Sequence, residues 1–177
     1  IGAMLHDIGK TKIDLNILNK PKGLSRSEYE IIKKHTTFGY AILNNLSNIS
    51  FDSKIIALSH HERYDGNGYP QNVKENDIHE FARIVSIADV FDALTNDRVY
   101  RSKIKAKDAI DYIISMSGSQ FDSLIVNKFL ENVARYPVGE GIILNTGYKG
   151  YVIANKKKYM SRPLVRILYN NLGERVE

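Results

Sequence analysis

Residues 79–96 constrain the fold of this chain more than any other stretch. Ile84, Ile87, Ala88, Phe91 and Leu94 recur at helical spacing and make one apolar stripe. Such a stripe must be covered by neighbouring elements, so this helix belongs against a packed core. Asp89 and Asp92, three residues apart, share a flank of it. A carboxylate bordering a core is costly unless it is paired or bound to a cation. The clearest helix of the chain therefore also poses its chemical question.

The helical theme runs on to Pro137. Residues 1–9 read as the end of a buried helix with Gly9 as its terminator. Lys10 to Gly23 reads as irregular, with Pro21 and Gly23 marking a loop. Ser25-Arg26-Ser27-Glu28 has the capping-box pattern. Ile31, Ile32, His35, Phe38, Ala41, Ile42 and Leu43 follow at roughly helical spacing, with a break near Thr36-Thr37. Phe51-Asp52-Ser53 is suited to cap the next helix, which buries Ile55, Ile56 and Leu58 and ends at His60-His61-Glu62-Arg63. Tyr64-Asp65-Gly66-Asn67-Gly68-Tyr69-Pro70 is dense in turn formers and reads as a loop. Two more helices are predicted over 105–117 and 122–135, the second capped by Asp122. Beyond Pro137, Gly141–Asn145 and Tyr151–Asn155 flank a turn as a hairpin, and Pro163–Tyr169 supplies a third strand.

A chain of 177 residues with 43% hydrophobic and 25% charged content is long enough for one globular domain and a small appendage. We divide it into a helical unit over 1–136 and a β-containing extension over 137–177. No apolar run is long enough to cross a bilayer, and no secretory pattern opens the chain. Cysteine is absent, which excludes disulfides, zinc fingers and thiol chemistry and leaves His, Asp, Glu and water as metal ligands. A net charge of +5 suits a phosphate-bearing ligand as well as a solvated lysine surface, and is too small to argue for duplex DNA. The chain opens on Ile1 inside an apolar run, so we expect an N-terminally truncated unit whose preceding helices lie upstream.

The metal-capable residues beside apolar segments are His6, Asp7, His35, His60, His61 and Asp89. His6-Asp7 joins an imidazole to a carboxylate, which suits borderline cations, and Lys10 follows closely enough to meet an anion held there. A lone histidine on an apolar face, such as His35, is usually a satisfied core residue. Adjacent histidines such as His60-His61 cannot both point one way from a regular helix, so they would serve two metals, or one would be structural. Six candidates from four segments are too many for one tetrahedral ion and suggest two or more ions sharing ligands. His79 sits in a polar stretch and is expected to be merely exposed.

His6-Asp7-Ile8-Gly9-Lys10, His60-His61-Glu62, Asp65-Gly66-Asn67-Gly68-Tyr69-Pro70 and Ile87-Ala88-Asp89-Val90-Phe91-Asp92-Ala93-Leu94 resemble the HD-GYP family in order and spacing. Arg98-Val99-Tyr100-Arg101 and Gly118-Ser119-Gln120-Phe121-Asp122 continue the match, which covers about residues 1–136. The family is a bacterial branch of the HD-domain phosphohydrolases. The resemblance implies a mainly α fold, an HD-domain-like helical bundle, followed here by a small antiparallel β hairpin or sheet. It implies two or three metal ions, usually iron, alternatively manganese, and hydrolysis of cyclic di-GMP to pGpG and often to GMP. By match of position, His6, Asp7, His35, His60, His61 and Asp89 fall on the metal ligands, with Asp7 as a bridging carboxylate. Lys10, Tyr69, Asp92, Arg98 and Arg101 fall near the substrate, and Asp7 and Lys10 take the catalytic roles. The resemblance also implies that the Gly68-Tyr69-Pro70 loop serves substrate binding or docking on diguanylate-cyclase (GGDEF) domains. The implied setting is the bacterial cytoplasm, as the output domain of a larger regulatory or membrane-anchored protein, with a homodimer allowed and no DNA partner.

This chain departs from the family pattern at Tyr64, commonly tryptophan, and at Val99, often proline. Another histidine ligand, and in some members a glutamate, is expected upstream of Ile1. Two further functions stay open. One is an HD-type hydrolase of another phosphoester, such as a mixed cyclic GMP-AMP dinucleotide, since nothing in the sequence separates guanine from adenine. The other is a catalytically silent module that binds the messenger or a cyclase domain. The region 137–169 resembles a C-terminal extension of many members and reads as a packing or interface element.

Overall fold

Polar side chains set where five of the eight described α-helices begin. In order the helices are α1 (Gly2–Leu5), a 3₁₀ turn (Ile8–Lys12), α2 (Leu15–Leu18), α3 (Arg26–Lys33), α4 (His35–Asn44), α5 (Phe51–Ser59), a 3₁₀ turn (Glu75–Asp77), α6 (Glu80–Thr95), α7 (Ala106–Ser115) and α8 (Ser123–Asn132). They belong to a computed structural model that describes residues 1–21, 23–97, 103–157 and 159–176. Ser25 forms the expected capping box at α3: its hydroxyl accepts from the Glu28 amide, and the Glu28 carboxylate accepts from the Ser25 amide. Asp14, Ser50, His79 and Asp122 accept likewise at the starts of α2, α5, α6 and α8. Ser50, one residue before the expected segment, is thus the cap of α5. His79 is a cap and not merely an exposed histidine.

The opening residues differ from their sequence reading. Met4 is 87% exposed and only Gly2 of α1 is buried, so this helix does not lie inside the core. Gly9 ends no helix. It sits within the first 3₁₀ turn, where the backbone presses so closely on α4 that a Cβ would lie 1.9 Å from the His35 carbonyl oxygen and 2.4 Å from the Gly39 nitrogen. The segment expected to be irregular after Lys10 contains α2. The break between α3 and α4 falls at Lys34, just before the expected threonines.

α6 packs against α5, α7 and α8. Ile87, Ile113, Phe121 and Val126 form the core here, with Phe91, Met116 and Phe129 packed on it. Burying each such side chain contributes about 1.5–3 kcal/mol relative to exposure. The buried residues of α6 are Ala82, Val85, Ser86, Ile87 and Leu94, while Ile84 and Ala88 are exposed. The expected stripe is therefore rotated, because neighbours on two sides cover a broader arc than one facing helix would.

The last segment forms an antiparallel sheet in the order β1 (Gly141–Ile143), β2 (Lys149–Ala154), β3 (Leu164–Tyr169). Ile142 pairs with Gly150, and Tyr151 with Arg166. The Asn155 side-chain amide donates to the Tyr136 carbonyl and ties the sheet to the end of the helical part. The fold is mainly α with a small sheet, as expected. Among the described residues no helix is long and apolar enough to cross a membrane.

Candidate metal centre

Three histidines stand just past helix ends: His6 after α1, His35 after α3 and His60 after α5. Carbonyls in a last helical turn lack intrahelical donors. Each ring turns its Nδ1 onto one of the preceding turn's carbonyls: Ala3 at 2.7 Å, Ile32 at 2.7 Å and Ile56 at 3.0 Å. A carbonyl only accepts, so Nδ1 carries the proton and Nε2 is the free ligand atom. Hydrogen bonds of this kind orient metal-binding histidines.

The Nε2 atoms converge. Those of His35 and His60 face each other at 3.3 Å, and lie 3.3 and 3.9 Å from Asp7 Oδ1. His61 joins them, and one ligand atom from each of Asp7, His35, His60 and His61 lies within 4.8 Å of the others. Both adjacent histidines therefore reach one cluster, contrary to the expectation for a regular helix. The reason is that α5 ends at Ser59, and the chain turns between the two residues. The other carboxylate oxygen, Asp7 Oδ2, meets a different pair of residues. It lies 3.4 Å from His6 Nε2 and 2.5 Å from Lys10 Nζ. His6 Nε2 is also 3.6 Å from Asp89 Oδ1, which brings in the flank of α6. All six sequence-named residues thus meet, in two sets that share Asp7.

The cluster's chemistry fits a transition metal. His6 Nε2 and Asp7 Oδ1 are buried and make no hydrogen bond of good geometry. Two imidazole lone pairs facing each other at 3.3 Å repel unless a cation or proton lies between them. Nitrogen and carboxylate donors together suit iron, manganese or zinc. Burial pushes the pKa of His35 down and, with the neighbouring histidines, that of His60 down to about 4. His61 is lowered for the same reasons, so all three rings are neutral ligands near pH 7. His6 differs: the nearby carboxylates, Asp7 and then Asp89, raise it to about 10, so a metal bound there displaces a proton. Burial works to raise Asp7, but the nearby His6 ring and the Lys10 ammonium outweigh it and hold the carboxyl well below its ordinary range. Asp89 is lowered likewise, His6 and His61 outweighing its burial.

Tyr69 closes one wall of the site. Its ring stacks on His61 at 4.8 Å and 30°, and the Lys33 ammonium lies over the ring, 5.5 Å from its centroid. Behind it opens a cleft of about 360 Å³ lined by Glu30, Lys33, Lys34, Thr37, Tyr69 and Asn72. Asp92 is exposed and accepts from the Asn96 side chain, outside the cluster. Arg98 and Arg101 lie outside the described residues.

Motif residues with no assigned chemistry hold the loop in place. The Tyr64 and Asp65 amides donate to the Gln120 and Ser119 carbonyls, and Arg63 pairs with Asp65 and Gln120. Asp122, besides capping α8, pairs with Arg83 at 2.6 Å. Glu62, 3% exposed, accepts from the Gln71 amide at 2.6 Å. Burial raises its pKa against the backbone amides of Gln71, Asn72 and Val73, which favour its charge. Sequence reasoning missed the role of Glu62; its position directly after two candidate ligands was the available signal.

The HD domain profile matches residues 1–125. A cyclic di-GMP phosphodiesterase of Pseudomonas aeruginosa is 33% identical over 170 residues, which cover 96% of this chain and 41% of that protein. A 3'3'-cGAMP-specific phosphodiesterase of Vibrio cholerae is 38% identical over 129 residues, covering 72% of this chain and 25% of that protein. The chain thus spans 41% and 25% of the lengths of these two relatives. An HDGYP protein from Bdellovibrio bacteriovorus has a similar fold, with a TM-score of 0.56 and 22% identity over 74% of this chain and 42% of that one. Together with the motifs now seen converging on one cluster, these matches show that the chain belongs to the HD domain family, in its HD-GYP branch.

Proposed function

We propose that this chain carries the catalytic site of a metal-dependent phosphodiesterase that hydrolyses cyclic di-GMP to pGpG, with GMP as an alternative end product. Asp7 carries the reading: its two oxygens face separate ligand sets, as a carboxylate shared by two ions would. His6, Asp7, His35, His60, His61 and Asp89 would hold two ions, iron or alternatively manganese, a third needing ligands beyond these. When bound, such ions lower the pKa of water and offset charge on phosphoryl oxygens.

The chain's own residues bind and orient the phosphodiester. Lys10, beside Asp7, sets a positive charge where the phosphoryl oxygens gain negative charge. Tyr69 walls the site, and the lysines of the cleft behind it suit an anionic ligand. Asp92, Arg98 and Arg101 keep their substrate-contact roles on the strength of the resemblance alone. The same reading implies the bacterial cytoplasm, where such messengers act. It also includes a GGDEF-domain partner at the Gly68-Tyr69-Pro70 loop, a homodimer, and a division of the chain at 136/137 that the change from helix to sheet supports.

The test is anaerobic loading with iron or manganese, mixing with cyclic di-GMP and separating the products. We expect pGpG, and none from Asp7→Ala. Binding without cleavage would make the protein an adaptor. The match to a cGAMP-specific relative favours a second reading, and faster turnover of 3'3'-cGAMP than of cyclic di-GMP would establish it. The Pseudomonas match, which extends through the C-terminal sheet, favours the first.

A further inference from the structure

We propose that Glu62 is a positioning residue, whose buried carboxylate, gripped by the Gln71 amide, holds Tyr69 against His61 and so shapes the substrate wall of the site. The identity of what binds there rests on the cyclic-dinucleotide reading above; the clamp itself does not.

The loop returns to the segment that carries the histidines at three points. Gly68 lies so close that a Cβ would meet Glu62 Cα at 2.5 Å and Arg63 N at 2.3 Å. The Tyr69 amide donates to the His61 carbonyl at 3.2 Å. The Gln71 amide then donates to Glu62 Oε1 at 2.6 Å. Asn72, at φ +57, takes the left-handed conformation that asparagine tolerates. A left-handed residue among successive amides turns their N–H groups inward to make an anion-binding concavity. Here the Gln71 amide meets Glu62 Oε1, so the chain fills this concavity with its own carboxylate.

A simpler anchor would serve if only loop stability mattered. Among the described residues no lysine or arginine pairs with Glu62, and Oε2 makes no hydrogen bond of good geometry. A buried carboxylate without a cationic partner is a costly fastening. Its position accounts for it. Glu62 follows two cluster histidines directly and grips the loop just past Tyr69, so ring and ligands are held to one short stretch of backbone.

The experiment compares Glu62→Ala and the isosteric Glu62→Gln with the parent protein. In Glu62→Ala the Gln71 amide loses its acceptor and Tyr69 comes off His61. We expect KM for cyclic di-GMP to rise about tenfold or more with a much smaller change in kcat, and metal content to stay at the parent level. Adding Tyr69→Ala to Glu62→Ala should then cost no more than Tyr69→Ala alone. Glu62→Gln retains one acceptor oxygen and should restore most of the KM. Unchanged KM, fully additive losses, or loss of metal from Glu62→Gln would each overturn the proposal. Amide exchange of residues 68–73 in substrate-free protein gives a separate readout. It should accelerate in Glu62→Ala, and unchanged protection refutes the clamp. If the parent cleaves no cyclic dinucleotide, the reading of the site fails, and exchange still decides the role of Glu62.

Discussion

At Asp7 a single side chain faces in two directions, with His35 and His60 at one oxygen and His6 and Lys10 at the other. Lys10 spans the boundary between holding the cluster and meeting a substrate. Its ammonium supports Asp7, yet the six cluster residues do not need it as a ligand. Lys10→Ala should therefore lower kcat by about a hundredfold, the scale of losing one preorganised charge, while metal content measured by elemental analysis stays unchanged. Emptying of the metal site in that variant would show that Lys10 acts through Asp7 alone.

Among the elements, the first 3₁₀ turn and α4 meet backbone to backbone at Gly9. Gly9→Ala must push them apart, and with them Asp7 and His35. We expect a loss of about 3 kcal/mol or more in urea unfolding, together with weaker metal retention. α3 offers a contrasting case at the surface. The Lys20 ammonium, then the Ser25 amide and hydroxyl, lower the Glu28 carboxyl from its ordinary 4.5 to about 2. A lowered folded-state pKa adds stability above the unfolded value and loses it as pH falls to the folded one. The Tm gap between parent and Glu28→Gln should thus be widest above pH 4.5 and close by about pH 2. Salt should narrow it, because the pair lies at the surface and is only half-buried.

Across the whole molecule, the cluster joins residues from the chain's start, from the ends of α3 and α5, and from the middle of α6. A ligand that binds only this assembled arrangement must stabilise the fold by mass action. Manganese at about 100 times its Kd should add about 2.7 kcal/mol, seen as a rise in Tm that a chelator reverses. Asp7→Ala should abolish the rise. An equal shift in that variant would place the binding elsewhere.

The sequence by itself determined the local parts. The capping box at Ser25, the cap at Asp122, the turn-rich loop and the hairpin all depend on neighbours within a few residues, so their patterns are readable directly. The six cluster residues were named by motif register, although spacing alone left His35 as plausible a core residue as a ligand. Only the tertiary structure decided how these parts face one another. The meeting of His35 with His60 joins positions 25 residues apart, and the convergence of His60 with His61 depends on where α5 stops. The exposed opening helix, the rotated face of α6 and the burial of Glu62 were likewise beyond local reading. Each depends on which surfaces meet when distant segments pack, and helical periodicity states that a face is apolar without stating what covers it.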